Sequence, residues 1–180
     1  MSIQKLWKET PTDLKTHTAA IAALADEIWH EYYTSITGVE QVDYMLEKYQ
    51  SAQQIYTDIM NNEFTYFTAT DEEAGALVGY SAAQPQEDYL LLSKIYVRSD
   101  YRGKGLARSF LKEITTLCHR VCGLDKIRLT VNKQNCGAIA VYKQMGFTIV
   151  EAIKKDIGEG FFMDDYVMEL TLPHGPECHN

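Results

Sequence analysis

No apolar run in this 180-residue chain exceeds seven residues, at 19–25, so the ~20-residue stretch of a membrane-spanning helix is missing. The opening residues, MSIQKLWKETPTD, carry charges where a secretory signal needs an apolar centre, and the chain is expected in the cytoplasm. Cysteine is scarce. Cys118, Cys122, Cys136 and Cys178 form no CxxC pair, which excludes a disulfide framework and leaves reduced thiols as the expectation. Only four prolines occur (Pro11, Pro85, Pro173, Pro176), all where turns or ends are wanted, and no repeat or Pro/Gly/Ser-rich linker divides the chain. One domain over residues 1–172 with a flexible tail at 173–180 follows. Basic residues are in the minority, 17 Lys and Arg against 25 Asp and Glu, giving a net charge of −8. So acidic a surface repels nucleic acid and anionic membranes unless a local patch reverses the sign, so neither is expected as a partner. What remains is ordinary globular composition, 46% hydrophobic, with length enough for a substantial core.

Periodicity supplies the elements. A β-prone start at residues 3–8 is broken at Thr10-Pro11-Thr12-Asp13. Leu14, Ile21, Leu24, Ile28 and Tyr32 then recur at helical spacing, with Thr12 or Asp13 available as N-cap. A second helical stretch after Gly38 carries Val42, Met45, Leu46, Tyr49, Tyr56 and Ile59 on one side. FTYFTAT, an acidic turn at residues 71–75 and ALVGYSAA read as an antiparallel hairpin. YLLLSKIYV, residues 89–97, is a near-continuous apolar run, the mark of a central strand covered on both faces. A glycine turn leads into a helix ending at Gly123; a strand follows at 126–131, a short helix at 136–145 stopped by Gly146, and strands at 147–152 and 161–172. The order β, α, α, β, β, β, α, β, α, β, β predicts an α/β protein: a mixed sheet of about seven strands with about four helices on its faces.

The segment from 94 to 112 holds six basic residues (Lys94, Arg98, Arg102, Lys104, Arg108, Lys112) against Asp100 alone, a local +5 that leaves −13 on the rest. Such a patch beside Gly103 and Gly105 at a helix start suits an anion: unpaired backbone N–H groups, the positive dipole end, and no Cβ to block close approach. A phosphorylated ligand is implied, against the blander reading of a solvated basic helix face. Two nucleotide motifs are absent. A dinucleotide fingerprint needs a small residue where Arg108 stands, and GxxxxGK[ST] does not occur.

What does occur is Arg102-Gly103-Lys104-Gly105-Leu106-Ala107, the pattern [QR]xxGx[GA], after a strand ending Ile95-Tyr96-Val97 and with Tyr101 just before it. About thirty residues on come residues 131–135 (VNKQN), Ala138, Tyr142 and Gly146-Phe147. On these two blocks the sequence resembles the GNAT superfamily of N-acetyltransferases, from about residue 64 to 172, and more loosely over the first two helices. The resemblance implies a mostly antiparallel sheet splayed between its fourth and fifth strands, with acetyl-CoA in the opening. It further implies that backbone groups of Ile95, Tyr96 and Val97 pair with the pantetheine arm. The main chain of Arg102, Gly103, Lys104, Gly105, Leu106, Ala107 and Arg108 would hold the diphosphate, and Asn135 would also contact the coenzyme. Tyr142 aligns with the tyrosine placed near the cofactor sulfur, an acid for the departing thiolate; its other reading is a core aromatic beside Ala138 and Met145.

Acetyl transfer to an amine also needs a proton acceptor. Many relatives carry a strand glutamate nine or eleven residues before the motif arginine, where Ser93 and Leu91 stand here. Glu31, Asp43, Asp164 and Asp165 remain as candidates. The −13 outside the patch should attract a cationic acceptor. Residues 27–33 (EIWHEYY) and 156–166 (DIGEGFFMDDY) are similar to stretches of bacterial spermidine/spermine acetyltransferases, and on that likeness Glu31, Tyr33, Asp164 and Asp165 are expected to bind the amine. The expected acceptor is thus the primary amine of a small molecule, with a polyamine such as spermidine or spermine as its first instance; peptide or other small amines remain alternatives, as does a coenzyme-binding sensor with little catalysis. A homodimer is left open. No metal is expected, because Cys118, His119 and Cys122 lack further ligands at compatible spacing.

Overall fold

A computed structural model describes residues 1–6, 11–61 and 63–173. The start of the first helix at Thr12, the tail from residue 174, and with it Cys178, lie outside the described side chains. The chain divides into two compact units, residues 1–84 with 94–111, and residues 85–93 with 112–180. Its seven strands form one mixed sheet.

The first unit contains β1 (Ser2–Leu6), α1 (Pro11–Thr37), α2 (Val39–Gln50), α3 (Ala52–Asn61), β2 (Thr65–Asp71) and β3 (Ala76–Pro85), plus the second half of β4 (Leu90–Val97) and the start of α4 (Leu106–Thr116). Its strands run antiparallel, β1 on β2 and β2 on β3, with Phe67 opposite both Lys5 and Ser81. Leu14, Ile21, Leu24, Ala25, Ile28 and Trp29 of α1 fall on one stripe and bury against Ile55, Ile59, Tyr66 and Tyr80. The second helical stretch is two helices, because Ser51 adopts extended backbone (φ −65°, ψ 150°) and its hydroxyl accepts the N–H of Gln54, capping α3.

The second unit holds the first half of β4, the rest of α4, β5 (Lys126–Asn132), α5 (Cys136–Gln144), β6 (Thr148–Gly158) and β7 (Phe161–Thr171). Its order is β4-β5-β7-β6, parallel only between β4 and β5. That parallel pairing covers Leu90↔Ile127 and Leu91↔Arg128 and then stops, so Leu92 and Ser93 have no partner on β5. Here the covered-on-both-faces expectation for β4 fails: Leu90, Leu92 and Lys94 are buried, while Ser93 between them is exposed. The strand's apolar run reflects one buried face and an unpaired flank.

The sixth strand is longer than its sequence suggested, reaching Gly158 rather than residue 152. Its second half, Lys154-Lys155-Asp156, lacks alternation because it lies on a sheet edge. A two-residue turn, Glu159-Gly160, closes the hairpin; both residues have positive φ (53° and 79°), the backbone of the turns that match strand twist. Residues 156–166 are therefore mostly paired strand.

Candidate functional site

The glycine segment is built on β4. After Val97 a short 3-10 turn (Ser99–Tyr101) reverses the chain, with Tyr101 N–H donating to Arg98 O (3.0 Å) and Arg102 N–H to Ser99 O (3.2 Å). Tyr101 Oη donates to Asp71 Oδ2 at 2.6 Å, tying the turn to the end of β2. This bond holds the Asp71 carboxyl below its ordinary range and the Tyr101 phenol above its own. Tyr101→Phe should loosen the turn and weaken coenzyme affinity about 3- to 10-fold with little change in thermal midpoint, as calorimetry and thermal melts can read.

Beyond the turn, Gly103 (φ 74°) and Gly105 (φ 83°) occupy left-handed backbone, and a Cβ at either would meet nothing within 4 Å. The first helical acceptor bond of α4 is Ser109 N–H to Gly105 O. Among the described residues, the N–H groups of Gly103, Lys104, Gly105, Leu106, Ala107 and Arg108 donate to no acceptor. Six successive open amides at the positive end of a helix fit a diphosphate well.

The basic patch is smaller than its sequence count. Lys94 is buried in the opposite sense, and Arg98 is held by Asp100 through Nε (2.8 Å) and Nη2 (3.0 Å). Lys104, Arg108 and Lys112 have no ion-pair partner among the described residues. Arg102 is poised by its own unit: Nε donates to Val97 O (3.1 Å), the guanidinium lies 5.7 Å from the Tyr32 ring, and Nη2 is 3.8 Å from Glu31 Oε2. The acidic, aromatic end of α1 and the glycine segment thus meet.

Of the remaining residues in that stretch, Trp29 is core, 6% exposed. Its ring stands 4.9 Å from Tyr33 and 5.6 Å from Tyr96, and Tyr96 is 5.3 Å from Tyr80. Tyr33 is half-buried at the margin of this aromatic group. His30 bridges α1 to α2, with Nε2 2.9 Å from Asp43 Oδ1 and Nδ1 3.0 Å from Asp26 O, contacts that raise its pKa.

A polar cluster beneath β4 had no signature in the sequence. Asp58 of α3 accepts from Gln54 Nε2 (2.7 Å), Tyr66 Oη (3.1 Å) and Lys94 Nζ (3.4 Å), and Lys94 lies over the Phe64 and Tyr66 rings. Burial pulls the Lys94 ammonium down and Asp58 opposes it. Removing either partner of this buried pair would leave the other charge uncompensated in the core. Only the alternation of β4, which turns Lys94 toward the helices, distinguishes it from its exposed basic neighbours.

In the second unit, Asn135 is buried and N-caps α5, its Oδ1 accepting Ala138 N–H at 3.0 Å. Tyr142 is half-buried on α5 with its ring 5.9 Å from Phe147. Asp164 is exposed and ion-paired to Lys133. Asp165, its neighbour on β7 and opposite Asn132 and Ile153, is only 7% exposed, and its carboxylate accepts no hydrogen bond among the described residues. Burial, and secondarily the Asp164 charge, push its carboxyl up to about 6 against the pull of Lys133. Of the four acids considered as proton acceptors, Glu31, Asp43 and Asp164 are exposed and face a cation or His30, whereas Asp165 is buried without one.

The sulfur chemistry is quiet. Cys118 Sγ is buried, donates to Leu124 O at 3.2 Å, and has its thiol pushed up to about 11 by burial. Among the described residues no group of three His, Cys, Asp or Glu side chains is placed to hold a metal ion, and no helix is long and apolar enough to cross a membrane.

Comparison with known proteins agrees with this geometry. The chain is similar to the L-amino acid N-acetyltransferase AaaT of Escherichia coli (strain K12), 33% identical over 86 residues, 47% of this chain and 53% of that protein. It therefore spans about half the length of that curated relative. In fold it is similar to the PaiA N-acetyltransferase of Thermoplasma acidophilum, solved in complex with coenzyme A, with a TM-score of 0.71 at 22% identity over 95% of this chain and 99% of that one. A chimera of the spermidine N-acetyltransferase SpeG from Vibrio cholerae gives 0.64 at 19% identity, over 95% and 96%. Residues 21–147, a stretch that includes the glycine segment, Asn135 and Tyr142, match the model described as the acetyltransferase (GNAT) family. The chain belongs to the acetyltransferase (GNAT) family.

Proposed function

We propose that residues 1–172 act as one acetyltransferase domain that moves acetyl from acetyl-CoA directly to the primary amine of a small cationic molecule, with a polyamine such as spermidine or spermine as the first candidate. The observation that carries this is the run of six open amides at residues 103–108, set in a chain of this family. The acidic remainder of the chain supports a cationic acceptor. Reduced thiols and dependence on this coenzyme suit the cytoplasm.

Acetyl-CoA supplies the acetyl group as a thioester. The chain must hold its diphosphate, take a proton from the amine and give one to the sulfur. The amides of residues 103–108 hold the anion, while the Arg102 amide, expected to join them, is taken by Ser99 O and leaves only its guanidinium to help; the β4 backbone at Ile95, Tyr96 and Val97 and the Asn135 side chain are further contacts. Glu31 and Tyr33, with Asp164, attract the ammonium. An amine of pKa ~10.4 costs about 4 to 5 kcal/mol to deprotonate at pH 7, so a positioned acceptor matters. Asp165 fills that role; the amine nitrogen bonds to the carbonyl carbon, the carbon–sulfur bond breaks, and the Tyr142 hydroxyl returns a proton to the thiolate.

Asp165 gives this reading a pH signature. The base must be ionised, so turnover should rise through a midpoint near pH 6. Asp165→Asn should remove that limb and lower kcat on the order of 10²-fold. Stability has the opposite sign. Ionisation costs the folded state more than the unfolded chain, a penalty absent below about pH 4 and fully present above about pH 6. The same variant should thus raise the thermal midpoint at pH 8 and leave it unchanged at pH 4. A variant that keeps both the limb and the rate would remove Asp165 from the mechanism.

A thiol-release assay with acetyl-CoA over polyamines, amino acids and peptides tests the acceptor. Turnover confined to peptide or amino-acid amines would exclude the polyamine reading. No transfer to any amine would favour the sensor alternative, which the exposed Ser93 at the usual glutamate position supports.

A further inference from the structure

β6 is the last strand of its sheet and carries no strand on its outer side among the described residues. It is 11 residues long, about twice the usual strand, and all but three of its residues are exposed. Ile149 (39%) and Val150 (50%) are open to solvent there. An unpaired edge of this length is ordinarily guarded by bulges or by charged side chains, lysines above all. The bulges here fall at Ile149/Glu151 and Asp156/Gly158, so residues 151–156 between them pair regularly with β7, Glu151 opposite Val167 through Asp156 opposite Phe162.

The charges in that regular stretch are of both signs. Lys154 Nζ folds onto the Phe162 ring at 5.0 Å. Glu151 and Lys155 point from the same face of the strand and have no partner among the described residues. A two-fold axis perpendicular to the sheet requires residues of like face to oppose each other. Centred on Ile153, it sets Glu151 against Lys155 of the partner subunit and Lys155 against Glu151 of the partner subunit, with Ile153 facing its own copy. Centred on Ala152, both lysines would face Ile149 and Val150; centred on Lys154, that lysine would meet itself.

We propose that β6 pairs antiparallel with β6 of a second copy of this chain, in the register centred on Ile153, to form a two-fold dimer with a continuous sheet. Centred on Lys155, Lys154 would face Asp156 of the partner subunit but Lys155 would meet its own copy, so only the register centred on Ile153 sets opposite charges together with no like pair, and the pairing satisfies the backbone groups of the free edge. The inference is independent of the acetyl-transfer reading.

Sedimentation velocity of the full chain from about 1 to 100 µM tests it. The wild type should be dimeric at the upper end. E151K and K155E each set two pairs of like charges across the axis, and each should weaken association on the order of tenfold or more. The double variant E151K/K155E should restore it. Mixing the two single variants should give a heterodimer, because the substituted positions then face each other with opposite charge. A monomeric wild type, a dimer indifferent to both single variants, or a loss that neither the double variant nor the mixture repairs would overturn the proposal. Circular dichroism of each variant separates lost association from lost folding, and the mixture holds the same two folded chains that fail alone.

Discussion

Gly105→Glu is expected to abolish coenzyme binding, raising the dissociation constant by a factor of about 10³ or more and leaving no measurable heat when coenzyme A is titrated in. Two effects combine. The glycine sits at φ 83°, where an L side chain costs roughly 1 to 2 kcal/mol. The new carboxylate would also stand beside six amides that are otherwise open to an anion, and so compete for them from within. Because a Cβ there meets nothing within 4 Å, the fold itself should tolerate the change, and the thermal midpoint should fall only by the backbone strain. Gly105→Ala separates the contributions: strain without charge should lower the thermal midpoint as Gly105→Glu does, and affinity should fall about tenfold at most. Unchanged affinity in Gly105→Glu would mean that the diphosphate binds elsewhere.

Tyr142→Phe should lower kcat by about 10² while the affinity for coenzyme stays near wild type. The ring is half-buried and rests 5.9 Å from Phe147, a contact phenylalanine preserves, so the only group removed is the hydroxyl. A proton donor to the leaving thiolate acts in the transition state, and its loss belongs in kcat rather than in ground-state binding. A fall in coenzyme affinity with kcat intact would make Tyr142 a binding residue. No change in either would make it a packing aromatic.

Most of the fold was readable because periodicity and punctuation agree. The stripe of α1, the turn at residues 71–75 and the strand at 126–131 all stand where alternation and turn residues put them. The glycine segment was readable for a chemical reason, since only a backbone meant to be approached leaves Gly103 and Gly105 beside so many cations. What was not readable depends on partners distant in sequence. β6 runs on past residue 152 because β7 pairs with it, although Lys154, Lys155 and Asp156 carry no apolar alternation. Lys94 counts as part of a basic patch until β4 turns it toward Asp58, 36 residues away. Asp164 and Asp165 are adjacent acids in the sequence, yet one is exposed beside Lys133 and the other is buried, because successive strand residues face opposite sides. Neither composition nor spacing could assign them different roles.

Amide hydrogen exchange, read residue by residue with and without coenzyme A, addresses the phosphate cradle most directly. The N–H groups of residues 103–108 should exchange quickly in the free protein, having no acceptor, and slow by at least about tenfold when the coenzyme saturates. If those amides are already protected in the free protein, or stay unprotected once coenzyme is bound, the main chain beyond Val97 does not hold the diphosphate.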